Sequence, residues 1–388
     1  MSGIFLSYKR TFSRKNVYLF FIYFAFFLFN GPLEQSISLF FESKGFSTFS
    51  YGLFLSLNNM MGIILPMLAA LFTLKTNYKL VTTLGLGVAI FGGVCLVYSQ
   101  YLSTMILFAL FLFAGRYFFN FSFGSVVTAE IPSRERATYF VIRDIFLYGG
   151  MSFGLFAAGY VIDGLSIKAM YLLFSLGLGI VAVFIAKGGT VEKSAEAKES
   201  KKNSFQLSGL KNKTVFTFVV IQCFKLVYGS AVSFVPLLGV KIGIEYDSIL
   251  KVLGSVVFAN GLLSFFLAYL VSETGKKKYY ILDILIDIIP CLLFALTRSV
   301  PIYILGIVIS TIKDSFAPIS FSYLYDCLDE ETTIGMVGMI ESISNIVGIV
   351  SPVMIGLLWE FSYQAVFLLG AAACILAAVI GIKNLPDF

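Results

Sequence analysis

Histidine is absent from this 388-residue chain. Its absence excludes imidazole acid–base catalysis, most transition-metal sites and any histidine proton relay. Proton chemistry must then fall to Asp and Glu. Charge is scarce too: Asp, Glu, Lys and Arg make up 13% of the residues, about half the share in a soluble domain. The five cysteines (Cys95, Cys223, Cys291, Cys327 and Cys374) have neither metal-ligand nor disulfide-framework spacing and read as packing residues. No metal and no cofactor is expected. The one tryptophan, Trp359, closes a hydrophobic stretch and reads as an interface anchor.

What the chain does have is apolar residues: 58% of the sequence, 42 phenylalanines among them, with mean hydropathy +0.91. They fall into stretches at 17–42, 48–72, 79–99, 103–127, 137–162, 169–187, 215–240, 247–271, 278–297, 300–325, 334–359 and 364–383. Crossing hydrocarbon takes about 20 apolar residues in a helix, and lipid tolerates neither exposed loops nor open sheet edges. The predicted fold is all-α, with twelve transmembrane helices in two pseudo-symmetric six-helix bundles.

A charged break divides the spans six and six. The predicted organisation is an N-terminal tail over 1–16, a bundle over 17–187, a linker over 188–214, a second bundle over 215–383 and a tail over 384–388. The linker is rich in Lys, Glu and Ser, with too little apolar surface to fold alone. The apolar run after residue 16 is too long for the core of a secretory signal and reads as an uncleaved first helix. Net charge is +6, with Lys and Arg concentrated on the side of the N-terminus. This positive-inside bias places both termini and the linker in the cytoplasm of a cell-membrane protein. The basic excess is thus an orientation signal, and no nucleic-acid partner is expected.

The halves align at an offset of 198 residues, which sets Gly31 on Gly229, Gly45 on Gly243, Gly150 on Gly348 and Lys79 on Lys277. Parallel six-helix repeats build a solute site near the midplane, so the layout points to a carrier of small molecules.

The segment Gly150-Met-Ser-Phe-Gly154-Leu-Phe-Ala-Ala-Gly159 is similar to the antiporter motif of the major facilitator superfamily, with Leu155 in place of proline and Ala158 in place of glycine. Arg116 stands where that family's fourth helix has an arginine, with Asn120 at the usual glycine. The loop signature between helices two and three is eroded to Thr73-Leu-Lys-Thr-Asn-Tyr-Lys79, and its second copy is Ser272-Glu-Thr-Gly-Lys-Lys-Lys278. Over nearly its whole length the chain resembles that superfamily. The resemblance implies secondary active transport by a single chain, and the fifth-helix pattern implies export.

Ionisable groups in hydrocarbon cost at least about 2.5–3.5 kcal/mol each, so they face a cavity or a partner. At depth this chain carries Arg116, Arg143, Lys225 and Lys313 against Glu34, Asp144, Asp283, Asp287, Asp314 and Glu341. The surplus of acids suits proton coupling. Glu34, Arg116, Asn120, Lys225 and Asp314 are the candidate coupling and solute residues. Arg143, Asp144 and Glu341 are the candidate cytoplasmic gate, and Asp287 with Lys313 is the expected structural pair. At the repeat offset Asp314 falls on Arg116 and Glu341 on Arg143, which suggests pairs that open and close during transport. The alternative neutralises each charge within its own half, Arg116 by Glu34, Arg143 by a neighbour and Lys225 by a nearby carboxylate. Asp283 and Asp287 share a helical face like an acid–base dyad, but with no third ligand cluster an enzyme is not expected. The leading expectation is proton-coupled export of a small amphipathic compound. Import of a sugar, amino acid or peptide, or flipping of a lipid headgroup, is the alternative.

Overall fold

The computed structural model describes residues 14–75, 77–124, 136–188, 212–270, 276–314, 323–324, 327 and 333–386. The side chains of Lys313, Asp314 and Glu341 lie outside the described set, so the expected Asp287–Lys313 pair and the Arg116–Asp314 and Arg143–Glu341 pairs lie outside it as well.

Among the described residues every regular element is helical. The spans are α1 (Arg14–Gln35, continued by Ile37–Ser43), α2 (Thr48–Lys75), α3 (Tyr78–Tyr98), α4 (Leu102–Phe118, prolonged by a π-helix Phe119–Gly124), α5 (Arg136–Gly164) and α6 (Ile167–Lys187). The second half holds α7 (Lys213–Val232, continued by Val235–Lys241), α8 (Tyr246–Leu270), α9 (Lys276–Ile286 and Ile288–Leu296), α10 (Val300–Asp314), α11 (Thr333–Phe361) and α12 (Tyr363–Asn384). Eleven are long and apolar enough to cross a membrane, and the described apolar stretch of α10, Val300–Ile312, is shorter.

Three spans that read as continuous are broken. In α1 both the amide and the hydroxyl of Ser36 donate to the Pro32 carbonyl, at 3.0 and 2.7 Å. In α7, Ser233 does the same to the Gly229 carbonyl, at 3.1 and 2.9 Å. Serine back-bonding competes with the helical ladder and bends it. The interruption recurs at nearly the same place in each half. The break in α9 at Asp287 precedes Pro290, whose missing N–H frees the carbonyl four residues back.

The repeat is visible in hydrogen bonds. Gly45 has φ +76° and Gly243 φ +87°. The Gly45 amide donates to the Glu42 carbonyl at 2.8 Å and the Phe46 amide to Phe41 at 3.1 Å; 198 residues on, Gly243 bonds Val240 at 2.9 Å and Ile244 bonds Gly239 at 3.0 Å. Both are Schellman caps, whose left-handed position favours glycine. Likewise Lys79 donates to the Gly188 carbonyl at the end of α6, and Lys277 to the Leu385 carbonyl at the end of α12, the latter at 2.7 Å. Helix packing repeats too: α1 on α5 and α7 on α11, α3 on α4 and α9 on α10, α3 on α6 and α9 on α12.

The chain divides into two compact units. One holds residues 1–40, 61–195 and 245–262, and the other residues 41–60, 196–244 and 263–388. In the first, Phe20, Phe26, Phe119, Tyr139 and Tyr171 are fully buried, and the Phe26 and Phe119 rings stack 3.8 Å apart. In the second, Phe218, Tyr280 and Tyr323 form the aromatic centre of the core. Trp359, the expected interface anchor, packs among aromatic rings at the end of α11. It is 7% exposed, with ring centroids 5.5 Å from Phe234 and 5.9 Å from Phe367.

Candidate functional site

In the first unit, α1 and α4 are joined by an ion pair. Asn30 and Glu34 lie one turn apart on α1, so they share a face. Asn30 donates from Nδ2 to Glu34 Oε1 at 2.8 Å, and Arg116 donates from Nη1 to Glu34 Oε2 at 2.8 Å. Asn30 is buried and the Glu34 side chain is 11% exposed, whereas that of Arg116 is 48% exposed. Arg116 lies about two-thirds of the way through the span Leu102–Gly124. At about 100° per residue it points opposite the outward Leu107 on the same helix. Glu34 neutralises the guanidinium, and its half-exposed edge, turned away from Leu107, leaves room for water or an anion. The π-helix begins just after it and carries the half-buried Asn120. Such wide turns collect at functional sites.

On α5, Arg143 and Asp144 neutralise each other as consecutive residues: Nε and Nη2 both donate to Asp144 Oδ1, at 2.9 and 2.6 Å. The Arg143 guanidinium lies 5.9 Å from the centre of the Tyr23 ring of α1.

In the second unit, Lys225 of α7 donates to Asp283 Oδ2 of α9 at 2.8 Å and lies 5.8 Å from the Tyr280 ring. Asp283 is 1% exposed. One turn further along α9, the fully buried Asp287 lies beside Tyr228 of α7, whose hydroxyl is 3.5 Å from that of Ser310 in α10.

Helix 5's glycines are sites of close approach. A Cβ at Gly150 would strike the Phe24 carbonyl of α1, and one at Gly154 the Leu28 carbonyl. Pro32 lacks the N–H that would have bonded Leu28, so Gly154 packs on a carbonyl with no helical donor. Gly159 faces α8: a Cβ there would fall 2.8 Å from Lys251 Cγ and 2.9 Å from the Asp247 carbonyl oxygen. All three residues of the antiporter-like pattern are thereby occupied in packing α5 on α1 and α8.

Two further sets of polar contacts join helices. Lys251 of α8 pairs with Asp247 at 2.8 Å and with Asp163 of α5 at 3.6 Å, and covers the Tyr160 ring at 4.7 Å. Asn59 of α2 donates to the Gly348 carbonyl at 2.6 Å, and Ser56 to that of Ile349. Gly348 lies four residues before Pro352, inside α11. Its carbonyl is the one that proline deprives of a donor, and that spacing was the available signal.

The family model of the Major Facilitator Superfamily matches residues 118–312 and 250–387. No curated protein matches the chain in sequence. Among solved structures, it is similar to the nucleoside transporter NupG, with TM-score 0.77 and 14% identity over 96% of this chain and 99% of that one. It is also similar to a D-xylose-proton symporter, with TM-score 0.74 and 12% identity over 96% and 98%. A third is a bacterial homolog to the human lysosomal transporter Spinster, inward-facing and unoccupied, with TM-score 0.69 and 13% identity over 95% and 97%. At these identities the likeness is one of fold.

Proposed function

Because the chain belongs to the major facilitator superfamily, we propose that it is a proton-coupled secondary transporter of a small solute, working by alternating access, with Glu34 and Arg116 as its coupling pair. The observation that carries this reading is the Glu34–Arg116 contact at membrane depth, with the arginine 48% exposed. Protonating Glu34 removes the charge that holds Arg116, and losing the proton restores it. One carboxyl thereby ties proton occupancy to the state of a solute-facing cation.

On the sequence repeat and the Lys and Arg bias, Asn120, Lys225 and Asp314 are assigned to the solute path. Arg143, Asp144 and Glu341 are assigned to a cytoplasmic gate, with both termini in the cytoplasm of the cell and one chain sufficing for transport. The proposal takes in no direction of transport, since the glycine pattern behind export would pack these helices alike in either direction. The reading is of a carrier rather than an enzyme.

The test uses purified protein in liposomes with an imposed pH gradient and an internal pH dye, supplied with separate pools of nucleosides, pentoses, amino acids and organic acids. One pool should drive proton movement and accumulate unchanged. In Glu34→Gln, accumulation should stop following the gradient while solute-for-solute exchange continues. Gradient-driven accumulation that survives Glu34→Gln would overturn the assignment. A chemically altered solute would overturn the carrier reading itself.

A further inference from the structure

We propose that Arg116 anchors an oxyanion on the transported solute, which makes the substrate an acid bearing a carboxylate or phosphate group. The proposal rests on the transport reading above and adds its substrate class. Among the described residues, four cations lie more than a turn inside the ends of their helices, and three of them are paired and mostly enclosed. Arg143 puts Nε and Nη2 on Asp144, with its side chain 27% exposed. Lys225 is held between Asp283 and the Tyr280 ring at 19% exposure. Lys251 is shared by Asp247, Asp163 and Tyr160 at 27%. Arg116 is different. Its guanidinium has five N–H donors, only Nη1 meets Glu34, and 48% of the side chain is open.

That open edge is a planar fork whose spacing matches the two oxygens of a carboxylate or phosphate. A neutral hydroxyl can accept one of its hydrogens but cannot replace the charge of Glu34. The site also provides for the exchange. Glu34 Oε1 is held by Asn30 at 2.8 Å, so the side chain keeps a partner when Oε2 gives up Arg116. An acidic solute arriving as Glu34 takes a proton leaves the arginine neutralised throughout. Among the described residues, Tyr117 is the further titratable group whose charge acts on Arg116.

The experiment measures thermal unfolding and ligand affinity of the full-length protein in detergent at fixed pH. Matched probes are used: succinate against succinamide, benzoate against benzamide, glutamate against glutamine, and inorganic phosphate and glycerol phosphate against glycerol. At least one acid should raise the midpoint while its neutral partner does not, and the arm that responds separates carboxylate from phosphate. Arg116→Lys keeps the charge but loses the fork, and should weaken that acid at least tenfold. Glu34→Gln removes the internal competitor and should tighten it. Equal shifts from acid and neutral partner, wild-type affinity in Arg116→Lys, unchanged affinity in Glu34→Gln, or no response to any acid would each overturn the proposal. Proton-driven accumulation of a neutral solute, lost in Glu34→Gln, would do so as well while leaving the transport reading intact.

Discussion

Gly149 and Gly150 are neighbours on α5, yet replacing each by alanine should have opposite effects. A Cβ on Gly149 would lie 3.8 Å from the Phe24 ring, which is ordinary contact. On Gly150 it would lie 2.9 Å from the Phe24 carbonyl carbon and 3.0 Å from its Cα, and closer still to the oxygen. Ordinary contact begins at 3.4 Å, so α1 and α5 would have to part by at least about 0.5 Å. The obstacle is backbone, which cannot rotate away as a side chain can. Overpacking of this kind costs about 1–3 kcal/mol, while glycine to alanine in an unobstructed helix gains about 0.5–1 kcal/mol. Lipid is as apolar as the helices, so this contact is held by packing alone, with no hydrophobic drive to offset a misfit. Thermal unfolding in detergent, followed by intrinsic fluorescence, should place Gly150→Ala several degrees below wild type. Gly149→Ala should lie at or slightly above it. If Gly150→Ala melted with or above Gly149→Ala, the close backbone approach of α1 and α5 would be wrong.

The same assay tests two further features. Gly45→Ala and Gly243→Ala meet no atom within 4 Å, so each should lose only the left-handed backbone penalty, about 1–2 kcal/mol. The two losses should be alike, and a difference of several-fold would deny that the caps are equivalent. Asn59→Ala should cost about 1–3 kcal/mol by uncovering the Gly348 carbonyl. Adding Pro352→Ala, which returns an N–H to α11, should recover much of it, and a strictly additive double mutant would refute the link.

The parts that could be read in the sequence are those encoded locally. The recurrence of Gly45 at Gly243 marks two turns with the same positive φ and the same hydrogen bonds, because only glycine adopts that backbone without strain. Lys79 and Lys277 likewise cap equivalent helix ends. The sites were harder. That Arg143, Asp144, Glu34 and Arg116 lie at depth follows from hydropathy. Which acid each cation meets depends on helix rotation, which a span that is apolar all round leaves unspecified. Arg143 takes the residue beside it, and Lys225 reaches 58 positions along the chain to Asp283. Nor does periodicity show that residues 41–60 of the first half group with the second unit, or that 245–262 group with the first. Trp359 reads as an anchor because it ends a span, while its contact with Phe234 depends on packing that the span alone does not encode.

The charge pairs also bear on how such a chain is made. Helix α5 carries Arg143 and Asp144 side by side, so it leaves the ribosome already neutral and can enter the bilayer without waiting for another segment. Glu34 emerges long before Arg116, and Lys225 before Asp283. Until the later helix arrives, each must linger in a hydrated setting, such as the insertion machinery or the bilayer surface. Assembly of α1 with α4, and of α7 with α9, is thus timed by the arrival of a counter-ion.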